Sequence, residues 1–280
     1  AISVIAGPLA IMVGAYQVMR RYLYNSSMVM HPINLDESLA ESILSTLRDN
    51  REYTKEEAKL LDLCLMLHAE HGGGNNSTFT CRCVTSTGTD AYAAYASAIS
   101  ALKGPRHGGA NIKVMEMLNC IENGVKNWEN EGEVADFLTK ILNKEENDHS
   151  GLIYGMGHAV YTLSDPRAVQ LKKSALKLAK GTEMEAEFRL LDTIERLTPQ
   201  LFAKNKGDVK TMCANVDMYS GLVYKLLGIP VEMYTALFAC ARMPGWCAHR
   251  MEEIENGKRI MRPAYRTLIK NRDYIALDQR

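Results

Sequence analysis

The sequence predicts an all-α fold, on three observations. Apolar residues recur at helical spacing along most of the chain, and strand-like alternation is nearly absent. N-cap residues stand directly before several of the apolar stripes. Gly and Pro clusters cut the pattern into helix-sized pieces.

Leu39, Ile43, Leu44 and Leu47 form the stripe of a short amphipathic helix. Thr54 is a good N-cap, and Glu57 three positions on completes a capping box ahead of Leu60, Leu61, Cys64 and Leu67. An Ala- and Tyr-rich helix is expected over 90–102. Others follow at 110–122, 133–142, 166–179, 183–202, 217–227, 231–242 and 248–255. The breaks fall at Gly104-Pro105, from Gly151 to Gly157, and at Gly207-Asp208, Gly228-Ile229-Pro230, Pro244-Gly245 and Gly257. Residues 1–13 are apolar but lack a basic leader, contain Gly7-Pro8 and run into Arg20-Arg21. They are read as a buried amphipathic helix, and no apolar run is expected to span a bilayer. Residue 1 is Ala, so the chain is expected to begin inside a longer protein.

The 280 residues carry 33 Lys+Arg and 33 Asp+Glu. A formal charge of zero argues against a nucleic-acid binder, and an anionic ligand would need local Arg and Lys. The seven cysteines are scattered among apolar neighbours without a paired CxxC, as suits reduced core thiols in a cytoplasmic protein. The lysine-rich stretch 112–210 suggests a separate, more solvated domain.

Five segments interrupt the helices with His, Asp, Arg and Gly, as site-bearing loops do. In the first, His68 and His71 stand three apart at a helix end and share a face; zinc would need further ligands and a spacing that are missing. In the second, His107 precedes Gly108-Gly109 at a helix start. The helix field disfavours an imidazolium, and the glycines suit close approach by a ligand. The third holds Gly155-Met156-Gly157-His158, too weak a pattern for a dinucleotide loop without a surrounding βαβ unit. In the fourth, Asp165 is a plausible N-cap and Pro166 fits N1, but Arg167 in the first turn opposes the helix dipole. A bound carboxylate would give it a reason to be there. In the fifth, Asp217 is read either as a helix cap or as a functional carboxylate. Arg242 and Arg262 follow in Arg242-Met243-Pro244-Gly245-Trp246-Cys247-Ala248-His249 and Arg262-Pro263.

Taken together, HxxHGGxN (68–75), the run from Ser77 to Asn111, GMGHAVY (155–161), DPRA (165–168), NVDMYSG (215–221), RMPGWCAH (242–249) and RP (262–263) resemble the citrate synthase family. The matches lie in the family's order and span nearly the whole chain.

The resemblance implies an acyltransferase that condenses acetyl-CoA with oxaloacetate, on an all-α fold whose smaller, mobile domain closes on a larger one. The small domain is expected at 109–220, and the large one at 1–108 and 221–280. His107 matches the residue that stabilises the acetyl-CoA enol, Asp217 the base and His158 the residue that polarises the ketone. His71, Arg167 and Arg242 match oxaloacetate-binding residues. Arg262 matches one that reaches the partner subunit's site, implying a homodimer or higher homo-oligomer. Gly155, Gly157 and Lys210 are placed beside CoA, although Lys204, Lys206 and Lys210 also read as a solvated face. No resident cofactor, metal, membrane or nucleic acid is implied; CoA enters as a co-substrate. A 2-methylcitrate synthase using propionyl-CoA is the nearest alternative, and a non-catalytic helical interaction domain a more distant one. Cys213-Ala214 stands where the family often has Tyr-Pro, and family members begin well upstream of Ala1.

Overall fold

In a computed structural model, residues 2–158, 161–206, 212–257, 259–264, 266, 268 and 274–280 are described. Among them, regular structure is helical, with no strand beyond a single bridge between Met156 and Ala214. The α-helices are α1 (Ile2–Leu23), α2 (Leu39–Leu47), α3 (Lys55–Ala69), α4 (Asn76–Thr85), α5 (Ala91–Leu102), α6 (Ala110–Gly124), α7 (Glu131–Leu142), α8 (Pro166–Ala179), α9 (Glu185–Lys206), α10 (Asp217–Leu226) and α11 (Tyr234–Asn256).

Local chemistry sets several of their starts. Thr54 caps α3 through the expected box: the Glu57 amide donates to Thr54 Oγ1 at 3.1 Å and the Thr54 amide to Glu57 Oε2 at 2.7 Å. Ser38 and Glu41 form the same box on α2. Asp90 caps α5, and Asp165 caps α8 with Pro166 in the first turn.

Helix α11 packs against α1, α3, α4 and α5, whereas α10 packs against α6, α8 and α9. The two groups meet where α3 lies on α8. The expected boundary at 220 therefore falls inside α10. One core cluster runs through both groups, from Leu44 and Leu61 to Leu191 and Leu222. A second fills the angle between α4, α5 and α11 with Cys81, Ala98, Leu102 and Trp246.

Four expectations are corrected. Pro244-Gly245 does not end a helix, because α11 runs through both. Proline costs a mid-helix backbone bond, but most residues from Tyr234 to Cys247 are buried, Ala241 to Met243 and Gly245 to Cys247 among them, and hold the helix together. Helix α4 was absent from the predicted set. Its sequence, Asn76-Ser77-Thr78-Phe79-Thr80-Cys81-Arg82-Cys83, has polar and β-branched residues on its buried side, so periodicity did not reveal it. Pro8 lies inside α1, which at 22 residues is long and apolar enough to cross a membrane by length and composition. Nor is α1 a buried helix: Leu9, Met12, Val13 and Gln17 are covered, while Ile2, Ile11, Tyr22 and Leu23 are exposed.

Candidate active site

A further correction concerns His68 and His71, which do not share a helix face. Helix α3 ends at Ala69, and Glu70 turns the chain away in an extended conformation. The Glu70 carboxylate accepts the amides of His71, at 2.9 Å, and Gly72. It also meets His249 Nε2 on α11 at 3.0 Å. His68 stays in the core with its Nδ1 on the Cys64 carbonyl at 2.7 Å, and burial drives its pKa down to about 4. His71 is carried out toward the 155–161 loop.

There, His71 Nε2 lies 3.1 Å from His158 Nε2. The Tyr161 amide donates to His158 Nδ1 at 3.0 Å, so the proton of a neutral His158 sits on Nε2, facing His71. Arg167 Nη2 stands 3.2 Å from the same Nε2. With the proton there, this is a close approach rather than a hydrogen bond, since a guanidinium cannot accept one. Burial and Arg167 hold His71 at about 4; burial also lowers His158, against an opposing pull from Asp165.

The charge of Arg167 is held by Asp165. Its Oδ2 accepts Nη2 at 2.8 Å, and its Oδ1 accepts Nε at 3.1 Å and the Arg167 amide at 2.9 Å. Burial alone would raise Asp165, but these bonds keep it below the usual carboxylate range. The carboxylate needed to explain a cation in the first turn is thus supplied by the helix cap itself.

Arg242 reaches the same region from α11 and is 1% exposed. Its Nε donates to the His68 carbonyl, its Nη1 donates to Asn75 Oδ1 at 3.1 Å, and the guanidinium lies 5.0 Å from the Phe238 ring centre. Burial lowers Arg242 to about 10. Asn75 Oδ1 is also 3.0 Å from Ser77 Oγ, which is 2.9 Å from His107 Nε2. A linked set of side chains therefore joins Arg242 to His107. The Ser77 hydroxyl has one proton for two neighbours. Given to His107, it leaves that ring's proton on Nδ1 as a donor.

His107 is neutral as expected, with a pKa of about 4, but burial is the first cause and Arg242 the second. Its glycines also serve the packing of the fold. A Cβ on Gly108 would lie 2.6 Å from the Leu102 carbonyl oxygen, and one on Gly109 3.0 Å from Pro105 Cα.

Asp217 opens α10, yet the residue that bonds the helix start is Asn215, whose Oδ1 accepts the Asp217 amide at 3.0 Å. The cap reading of Asp217 is thereby overturned. Burial raises its carboxyl to about 6 against the pull of Arg167 and Arg242. The 155–157 loop is stitched to its approach. Asn215 donates its amide to the Gly155 carbonyl and its Nδ2 to the Gly157 carbonyl, both at 2.9 Å. Gly155 has φ +81°, and a Cβ there would lie 2.8 Å from Met218 Cα.

The fold thus gathers His71, His158, Arg167, Arg242 and Asp217, with His107 linked through Ser77 and Asn75. Arg262 lies apart, on the exposed segment after α11. Lys210 lies outside the described residues, as does the Lys206 side chain. The sequence reading missed the supporting residues Glu70, Asn75, Ser77 and Asn215. Their signal was available: Glu70 and Asn215 lie within two residues of a candidate, and Asn75 and Ser77 four and six residues after His71, in segments where polar side chains break an apolar pattern.

The citrate synthase C-terminal domain model matches residues 2–264. The chain is 38% identical over 229 residues to a citrate synthase of Deinococcus radiodurans, covering 82% of this chain and 56% of that protein. It is 41% identical over 206 residues to one of Synechocystis, covering 74% and 47%. The chain thus spans about half the length of these curated relatives. Among solved structures, citrate synthase of Thermoplasma acidophilum, in a ternary complex with carboxymethyl coenzyme A and oxaloacetate, superposes with a TM-score of 0.76. It is 30% identical, covering 99% of this chain and 67% of that one. The Thermotoga maritima citrate synthase gives 0.74 at 31% identity, covering 96% and 68%.

Proposed function

The chain belongs to the citrate synthase family, and we propose from this and from its site geometry that the protein condenses acetyl-CoA with oxaloacetate to give citrate and CoA. The observation that carries the reading is the meeting of His71, His158 and Arg167, from separate segments, within about hydrogen-bond distance. A dianionic keto acid suits that group. Arg167 and Arg242 take its carboxylates with His71, while the Nε2 proton of His158 faces the ketone oxygen.

An acetyl thioester is a weak carbon acid, so proton removal by the Asp217 carboxylate has to coincide with stabilisation of the carbonyl oxygen. With the Ser77 proton given to Nε2, His107 donates from Nδ1 to that oxygen. The enol carbon then forms a bond to the oxaloacetate ketone carbon as His158 protonates the ketone oxygen. Water finally cleaves the thioester of citryl-CoA, releasing citrate and CoA. Keeping water out until the carbon–carbon bond exists requires closure, and we assign it to movement of 109–220 on the rest.

We further propose that CoA lies along Gly155 and Gly157 as a co-substrate, with no resident cofactor. Arg262, exposed on its own subunit, completes the site of a partner in a homodimer. The seven unpaired cysteines support a reducing, cytoplasmic location.

The full-length protein is expected to release CoA from acetyl-CoA only when oxaloacetate is present. Absence of that release sinks the reading. A higher kcat/KM with propionyl-CoA than with acetyl-CoA would move it to 2-methylcitrate synthase.

A further inference from the structure

Helices α8 and α10 carry Arg167 and Asp217 of the site, and one side-chain chain ties both to α9. Lys172 on α8 meets Glu195 Oε2 on α9 at 2.8 Å and also pairs with Asp192. The Tyr219 phenol on α10 donates to the same Glu195 Oε2, and Lys172 Nζ lies 5.6 Å from the Tyr219 ring centre. Tyr219 is fully buried, whereas Lys172 and Glu195 are each about a quarter exposed. They edge a cavity of about 340 Å³ whose walls also include Asp165, Cys213 and Ala214.

The placement on α10 matters. Tyr219 is two residues from Asp217, about 200° round the helix, so it grips the side of the first turn opposite the carboxylate. A buried phenol deprived of its acceptor is costly to leave in place, so the bond to Glu195 fixes how far α10 stands from α9. Lys172 fixes Glu195 in turn from α8, the helix whose first turn carries Asp165 and Arg167.

The geometry points to Lys172, Glu195 and Tyr219 as positioning residues that set the approach of Asp217 to the acidic methyl group of the acyl-CoA. The inference rests on the reading of Asp217 as the base. It assigns these three no contact with substrate.

The test compares Tyr219→Phe, Glu195→Ala, Glu195→Gln and Asp217→Ala in the full-length protein. Tyr219→Phe and Glu195→Ala are expected to lower kcat by about 10- to 100-fold, the scale of a displacement approaching an ångström. The KM for oxaloacetate should stay within about twofold, because Arg167 keeps Asp165. Glu195→Gln keeps an oxygen for the phenol and should recover most of kcat, which a purely electrostatic role of Glu195 would not allow. If Tyr219→Phe does not fold, Lys172→Met at a partly exposed position should show the same split between kcat and KM. Loss of thermal stability with wild-type kcat in the folded fraction would overturn the inference, as would equal damage to oxaloacetate binding. If Asp217→Ala keeps its turnover, the base assignment itself fails. If Asp217→Ala is inactive and Tyr219→Phe is not impaired, only the positioning role fails.

Discussion

At the scale of single residues, the site works by keeping side chains in protonation states that water would not favour. Asp217 must be ionised to act as a base, yet burial raises it to about 6. The kcat/KM should therefore climb as pH rises through about 6 and level off above it. A kcat/KM profile flat from pH 5 to 7.5 would contradict this. The raised pKa also means that the ionised form strains the folded state. The folded protein holds this proton more tightly than the unfolded chain, so Asp217 weakens the fold progressively as pH rises from about 4 to 6. Asp217→Asn should remove turnover and, at pH 7.5, add stability on the order of 1–3 kcal/mol by denaturant melting. For His107 the relevant neighbour is Ser77. Ser77→Ala removes the hydroxyl that meets His107 Nε2, and kcat is expected to fall about 10- to 100-fold with little change in the KM for oxaloacetate. Equal kcat in the variant would show that another group sets the tautomer.

At the scale of elements, α11 explains why a Pro-Gly pair sits in mid-helix. A Cβ on Gly245 would lie 2.1 Å from the Ala69 carbonyl oxygen and 2.9 Å from Glu70 Oε2. The absent side chain lets α11 press against the end of α3, where Glu70 shapes the turn that presents His71. Gly245→Ala gains about 1 kcal/mol in helix propensity. The overlap costs on the order of 3 kcal/mol, so the clash wins. Both a lower melting temperature and a raised KM for oxaloacetate are expected, since the displaced atoms belong to the 70–72 turn. A variant with unchanged oxaloacetate binding would uncouple that turn from the site.

Over the whole molecule, three buried or half-buried histidines respond to acid together. His68, His71 and His107 all sit near 4, below the ordinary value of about 6.5. The unfolded chain takes up their protons first as pH falls. Their contribution is thus complete above about 6.5 and is lost progressively down to about 4. Asp217 acts in the opposite sense between about 6 and 4, but it is one group against three. The urea midpoint should drop between pH 7 and pH 4.5, and a constant or rising midpoint would show that other groups dominate.

Much of the molecule follows from local sequence. The all-α class, the Thr54–Glu57 box, the start of α8 at Pro166 and the candidate histidines, arginines and Asp217 were all legible, because caps and periodicity are properties of neighbouring residues. Four matters were settled only by tertiary contacts. Residues 244–245 continue a helix because buried neighbours outweigh proline's lost bond. Helix α4 forms under α5 and α11 despite weak periodicity. His68 and His71 part company because Glu70 finds His249 on a distant helix. Arg167 is balanced by Asp165 while reaching toward a histidine delivered from residue 71. A sequence carries the residue types and their local order. Which residues share a buried volume, and so which pKa values move and which protons face one another, depends on chain segments up to 179 positions apart being brought within about 3 Å.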